Sequence, residues 1–368
     1  MKITDILVSK HSIPLDPPFC PSWDTRPRRS FSAFITRVKT DIGLEGIASG
    51  DDMLGLDQFK ELFVGHDALD LERHHRILSN MSFHYSRYWP VDLALWDLAG
   101  KAANLPVWRL LGGGSGRVKL YASSGTLRDP SAMADQAQRF REEGFGAMKL
   151  RFHRGDWRLD IKVLEAVRKK VGDGLELMVD CNQGWRMVWD VEEPWKLKDA
   201  LVVARELERL GAYWMEEPLF RGDWKAMRAL REMIDVRLAA GEMNRELHEF
   251  AHLIDERAVD VLQPDVALTG GITGLRRIAA MCQEAGIVFT PHTWSNGIGL
   301  IANAHLVAAL SNGCFMEFPY DPPEWSVERR DFMMARKYEA EGGYLNLGEG
   351  PGFGIAYDEN LLAKTRVA

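Results

Sequence analysis

In the second two-thirds of the sequence, successive short apolar runs close on residues able to act as acids, bases or ligands. These are Lys149 and Arg151, Asp180 and Asn182, Glu216 with Glu217, then Glu242, Asp265, His292 and Glu317. They recur roughly 23 to 36 positions apart, a spacing at which strand ends gather at the carboxyl face of a β/α barrel. Three of the acids, Asp180, Glu216 and Glu242, come from consecutive runs. Bringing them together unpaired costs desolvation and mutual repulsion. A divalent cation between them relieves both, and an all-oxygen donor set without a Cys/His cluster suits a hard ion such as Mg2+ and argues against zinc. The same acids could instead pair with Lys149 or Arg151, and the spacing alone leaves both readings open.

The elements that must position these groups are legible as patterns. VKLYASS, GAMKLRF, LELMVDCN, AYWMEEP, VRLAAGE, VDVLQPDV, IVFTPHT and CFMEFPY read as strands. They alternate with amphipathic stretches of about 10 to 15 residues, the signature of parallel βα units. Eight in series predict a closed barrel, and no G-x-G-x-x-G follows the first of them, which counts against a dinucleotide fold. Upstream, residues 3–13 and 31–40 read as strands of an antiparallel sheet. Between them lies DPPFCPSWDTRPRRS, a long loop by composition, and long loops in compact domains are often functional. From about residue 55 to 110 the pattern is helical and ends in PVDLALWDLAGKAANLPVWRLLGGG with its glycine stop. The expected organisation is an α+β capping domain over residues 1–115 and a catalytic barrel over 116–335. The segment 336–368, containing GYLNLGEGPGFGIAYDENLL, loses the βα rhythm and is expected to pack back on the N-terminal sheet.

The stretches DLALWDLAGKAANLPVWRLLGG, VDCNQGW, WMEEPL, AGE, QPDV with GGITG, PHTW, MEF and GPGFGI resemble, over essentially the whole chain, the enolase superfamily and its mandelate racemase subgroup. The resemblance implies a (β/α)7β TIM-like barrel under an N-terminal α+β cap, with Mg2+ held by Asp180, Glu216 and Glu242. It implies a His292–Asp265 dyad and electrophilic help from Lys149 and Glu317. The chemistry of such residues agrees. A proton α to a carboxylate is very weakly acidic, so its removal needs an electrostatic trap for the enediolate. His292 is then the general base, its tautomer fixed by Asp265 one strand away, and Lys149 with a protonated Glu317 donates hydrogen bonds to the carboxylate oxygens.

One position departs from the racemase pattern, in which the second barrel strand ends Lys-x-Lys and the second lysine is a base. Here the strand reads Lys149-Leu150-Arg151. Arginine stays protonated, which disfavours racemisation by two opposed bases. The expected reaction is dehydration of a sugar acid, aldonate or aldarate, through a metal-stabilised enediolate to a 2-keto-3-deoxy acid. A racemase or epimerase of a 2-hydroxy acid is the alternative and needs a second base, for which His153, two residues along the strand, is the candidate. A catalytically silent acid-binding barrel is a further alternative. Asn182, Trp23, Arg26 and His153 are the candidate substrate-binding residues, and the donor-rich loop around Trp23, Asp24, Arg26, Arg28 and Arg29 would suit a polyol acid or diacid.

The bulk composition fits a small carboxylate substrate. The 368 residues carry a net charge of −7 without a basic run, so there is no electrostatic footprint for nucleic acid or an anionic membrane. Four widely separated cysteines point to a reduced, cytoplasmic setting. The N-terminus reads as a strand and not as a signal sequence, and no apolar stretch is long enough for a transmembrane helix. The resemblance also implies a homo-oligomer.

Overall fold

The computed structural model describes residues 1–367. Its first sheet is built from β1 (Ile3–Phe19), β2 (Arg28–Thr40) and β3 (Glu45–Gly50), all antiparallel. Ile3, Ile6, Ile35 and Val38 turn to the buried side. Helices α1 (Leu71–His84) and α2 (Trp89–Ala103) cover that side, and a single turn α3 (Val107–Leu110) follows. α2 is apolar nearly all round, and from Trp89 to Leu98 every residue is buried, as expected of a helix with partners on several sides. Gly46 on β3 is the contact that lets it approach: a Cβ there would stand 2.0 Å from the Ala94 carbonyl oxygen. Asp97 then ties α2 to its surroundings, accepting from the backbone amides of Ile47 at 2.9 Å and Phe353 at 2.8 Å.

The second sheet carries eight parallel strands: β4 (Arg117–Ser123), β5 (Ala147–Arg151), β6 (Glu176–Asp180), β7 (Trp214–Glu216), β8 (Arg237–Ala240), β9 (Val261–Leu262), β10 (Val288–Phe289) and β11 (Met316–Pro319). Seven helices join them in turn: α4 (Pro130–Glu142), α5 (Trp157–Val171), α6 (Leu197–Arg209), α7 (Trp224–Met233), α8 (Leu247–Asp255), α9 (Gly271–Ala285) and α10 (Gly297–Val307). Asp129, Asp156, Asp223 and Asn296 cap the amino ends of α4, α5, α7 and α10, each accepting a backbone N–H that the helix leaves unpaired. The strand order runs from β10 down to β4 and on to β11, which is the predicted (β/α)7β order. Between β10 and β11 side chains make the seam: the Thr290 hydroxyl donates to the Phe315 carbonyl and the Thr293 hydroxyl donates to that of Glu317. Inside the barrel, Tyr121 and Trp214 meet edge to face at 5.2 Å in a layer with Ala147, Met178, Ala239 and Val261. This layer packs the interior, so reactive groups concentrate at the carboxyl ends of the strands.

The chain ends with a short helix α11 (Val327–Arg330), β12 (Tyr344–Asn346), α12 (Glu359–Thr365) and β13 (Arg366–Val367). This corrects the expectation that 336–368 as a whole packs on the N-terminal sheet. β13 pairs with β1, but β12 pairs antiparallel with the first residues of barrel strand β4, Tyr344 opposite Lys119 and Asn346 opposite Arg117, with Leu345 buried between them. The tail is further anchored by His305 on α10, whose Nδ1 accepts from the Trp108 amide at 3.1 Å and whose Nε2 donates to the Phe353 carbonyl at 3.2 Å. Burial lowers the His305 imidazole to about 4. The unfolded chain, with an ordinary value near 6.5, therefore binds this proton first, and the contribution is full above pH 6.5 and lost as pH falls towards 4. We expect wild type to lose up to about 3 kcal/mol more stability than His305→Gln between pH 7 and pH 4, read from urea denaturation at both pH values. Equal losses would contradict that role.

Candidate active site

Strand register brings the reactive residues into one row. Arg151 on β5 pairs with Asp180 on β6, which pairs with Glu216 on β7. Glu242 lies two residues beyond the end of β8, after Gly241, whose φ of 123° is open to glycine and strained for any other residue. Asp180, Glu216 and Glu242 are all buried, and one carboxylate oxygen from each lies within 4.8 Å of the others. Lys149 reaches the same cluster, with its Nζ 2.5 Å from Glu216 Oε1, 2.7 Å from Glu317 Oε1 and 3.8 Å from Asp180 Oδ2. Both readings left open by spacing are therefore realised together: the acids pair with Lys149 and Arg151 and also converge on one point.

The cations do not exhaust the acids. Glu242 Oε2 is buried without a hydrogen-bond partner, while its Oε1 accepts from the Trp185 indole at 2.6 Å. Burial, added to by the nearby Asp180 charge, pushes the Glu216 carboxyl up to about 7 despite Lys149. Burial and the Glu242 charge hold Glu217 well above the usual carboxylate range, and both of its oxygens lack partners. Convergent carboxylate oxygens, one of them orphaned, in a site where negative charge is disfavoured, fit a hard divalent ion.

His292 and Asp265 form the expected dyad, Nδ1 to Oδ2 at 3.1 Å, while Nε2 lies 3.8 Å from Glu242 Oε2. Asp265 is itself held by the Asn303 amide at 2.9 Å and the Ala267 backbone N–H at 2.9 Å, which fixes the ring it orients. Burial works against the imidazolium, but Glu242 and the bond to Asp265 raise His292 to about 9. Arg151 is locked by acceptors: Nε donates to the Ser124 carbonyl at 2.8 Å, Nη1 to Asp180, and Nη2 to the Ser123 hydroxyl at 3.2 Å. Its guanidinium also lies 4.8 Å from the Trp23 ring and 5.5 Å from that of Trp294.

Glu317 requires a correction. It was expected as a protonated donor, yet it accepts from the Ser123 hydroxyl at 2.7 Å and the Thr293 amide at 2.8 Å as well as from Lys149. Burial would raise it, but Lys149, His292 and Arg151 together take it down to about 2. Glu317 is an acceptor in this arrangement, and the surrounding cations favour its ionised form.

These groups open onto a cavity of about 450 Å³ beneath the N-terminal sheet, lined on the reactive side by Arg151, Asn182, Glu242 and His292. Trp23 lines it as well, and Asn182 accepts from the Ser22 hydroxyl at 3.2 Å, tying the capping loop to the end of β6. Two of the expected substrate-binding residues do not reach it. The Arg26 guanidinium stacks 4.3 Å from the Trp189 ring, and the cavity takes Arg28 in its place. His153 hydrogen-bonds the Ser22 carbonyl and lines a neighbouring cavity, because the chain leaves the β5 strand direction after Arg151. Sequence reasoning missed Trp185, which stands in the CNQGW motif, and Asp51, and left open the role of Arg87 ahead of the ALWDLAGK helix, which lies 3.4 Å from Asp51 in the cavity wall. Strand-end logic covers only barrel strands, and Asp51 follows a capping strand.

Residues 132–361 match the family described as enolase C-terminal domain-like, and residues 3–112 match the mandelate racemase / muconate lactonizing enzyme N-terminal domain. The chain belongs to the enolase superfamily, in its mandelate racemase subgroup. It is 33% identical over 275 residues to an arabinonate dehydratase of Saccharolobus solfataricus, covering 74% of this chain and 70% of the relative. The 3,6-anhydro-D-galactonate cycloisomerase of Zobellia galactanivorans superposes with a TM-score of 0.84 at 28% identity, covering both chains completely. A racemase of Streptomyces coelicolor with bound magnesium shares the fold, with a TM-score of 0.85 at 24% identity over 99% of this chain and 100% of that one. The relatives are enzymes of several reaction types, and no described helix is long and apolar enough to cross a membrane.

Proposed function

We propose that this enzyme is an Mg2+-dependent sugar-acid dehydratase that converts an aldonate or aldarate to a 2-keto-3-deoxy acid. The observation that carries the reading is Arg151, buried and engaged by three acceptors at the position where a second base would have to stand, in the same cavity as the single dyad His292–Asp265. Asp180, Glu216 and Glu242 would hold the ion. When bound, it would supply Lewis-acid stabilisation of the substrate carboxylate as charge develops there. Lys149 adds a fixed positive charge beside the same acids. His292, held through Nδ1 by Asp265, presents Nε2 to take the proton from the α carbon as the neutral imidazole, the form that an ion held by Glu242 would favour by offsetting the charge that raises it. The imidazolium then returns that proton to the departing β hydroxyl. The C–O bond breaks, water leaves, and the resulting enol tautomerises to the keto acid. An epimerase would need a second base, and the seclusion of His153 behind the Ser22 carbonyl counts against it. The arabinonate dehydratase similarity supports the lyase reading.

Incubating the Mg2+-loaded protein with a panel of sugar acids should yield 2-keto acid. Failure across aldonates and aldarates of every configuration would overturn the proposal. Arg151→Lys tests the division of labour. Losing the guanidinium's charged hydrogen bonds should slow dehydration about 10- to 100-fold. A lysine that can shed its proton should also introduce α-proton exchange with solvent. A variant with unchanged dehydration and no exchange would contradict the role given to Arg151.

A further inference from the structure

Beyond the reactive groups, the cavity contains two more arginines, and each already has its own carboxylate. Arg28 Nε lies 3.2 Å from Asp24 Oδ2, and Arg87 Nη1 lies 3.4 Å from Asp51 Oδ2. Asp24 is not free to swing away: its Oδ1 accepts from the Trp189 indole at 3.1 Å and from the Arg26 amide at 2.9 Å. Asp51 is itself part of the cavity wall. The third arginine, Arg151, is engaged by Asp180. Each arginine in the cavity wall therefore has its charge offset by a carboxylate, and at Arg87 that carboxylate, Asp51, lines the cavity beside it.

Such a pair suits hydroxyl groups, which both donate and accept, whereas a second carboxylate beside Arg87 would meet the oxygens of Asp51. The cavity also has an aromatic wall in which Phe19 and Trp294 are stacked 5.7 Å apart, with Trp325 5.1 Å from Phe19. Flat apolar faces of this kind favour the C–H surface of a carbon chain and offer nothing to an anion. We infer that the substrate carries one carboxylate only, the one presented to the acid cluster, so that it is an aldonate and not an aldarate, with Asp51 and Arg87 as the pair that rejects the second charge. This rests on the sugar-acid reading of the site.

The test compares five- and six-carbon aldonates with the aldarates of matching configuration on the Mg2+-loaded protein, by keto-acid formation and by calorimetric binding. At least about a hundredfold preference for the aldonate is expected, from the cost of setting like charges side by side. Asp51→Asn, which leaves Arg87 uncompensated, should strengthen aldarate binding about tenfold or more while weakening none of the anionic contacts. Aldonates that bind more tightly than aldarates but are not converted would support the inference and remove the dehydratase reading. Aldarate binding or turnover equal to that of aldonates, no binding of either class, or a folded Asp51→Asn protein with no gain for aldarates would overturn the inference.

Discussion

Replacing His292 with asparagine is expected to lower kcat for keto-acid formation about 100- to 10,000-fold, the range that a positioned acid–base group contributes. The effect should fall on kcat more than on KM, because His292 is assigned a proton transfer and not a share of ground-state binding. The loss should be large because the same imidazole serves twice, first as base at the α carbon and then as acid at the departing hydroxyl. Asp265, bonded to Nδ1 at 3.1 Å, has its carboxylate fixed by Asn303 and the Ala267 amide, so no neighbour replaces the ring. Steady-state kinetics at saturating Mg2+ check this, and a variant retaining a tenth of wild-type kcat would contradict it.

Glu242→Gln is expected to have the second large effect, on the metal. Of the three acids Glu242 is the one whose loss strands no permanent cation, since Asp180 and Glu216 neutralise Arg151 and Lys149, whereas the neighbour of Glu242 at 3.8 Å is the His292 imidazole, which can shed its proton. Glu242 Oε2 has no hydrogen-bond partner, and glutamine can still accept from the Trp185 indole through its amide oxygen. The fold should therefore persist while the Mg2+ concentration needed for half-maximal activity rises by about a hundredfold or more, beyond the 10- to 100-fold that outer-sphere changes cost. Mg2+ titration of activity, with circular dichroism to verify folding, reads the result. An unchanged Mg2+ requirement would remove Glu242 from the ligand set.

The barrel was legible because it repeats. Each strand is a short apolar run ending in a polar residue, and the period places Asp180, Glu216, Asp265 and His292 at one face without any knowledge of side-chain direction. The seam of Thr290 and Thr293 was not legible, since hydroxyl bonds across two strands leave no periodic trace. The capping residues fared worse for a related reason. From Trp23 to Arg29, composition identifies a donor-rich segment but not which arginine faces inward, and the structure stacks Arg26 of the loop on Trp189 while Arg28, the first residue of β2, enters the cavity. Protonation was likewise beyond the sequence. Whether Glu317 donates or accepts depends on Lys149, Arg151 and His292 closing around it from other strands. His153 shows the limit of extrapolating a strand: alternation predicts its direction only while the strand lasts, and β5 ends at Arg151.

The account turns on one base acting at one face of the α carbon, and running the reaction in D2O with Mg2+ while following it by proton NMR tests this most directly. It predicts a 2-keto-3-deoxy product carrying solvent deuterium at C3, with recovered substrate of unchanged configuration. Recovered substrate that contains deuterium at the α carbon in inverted configuration would contradict it.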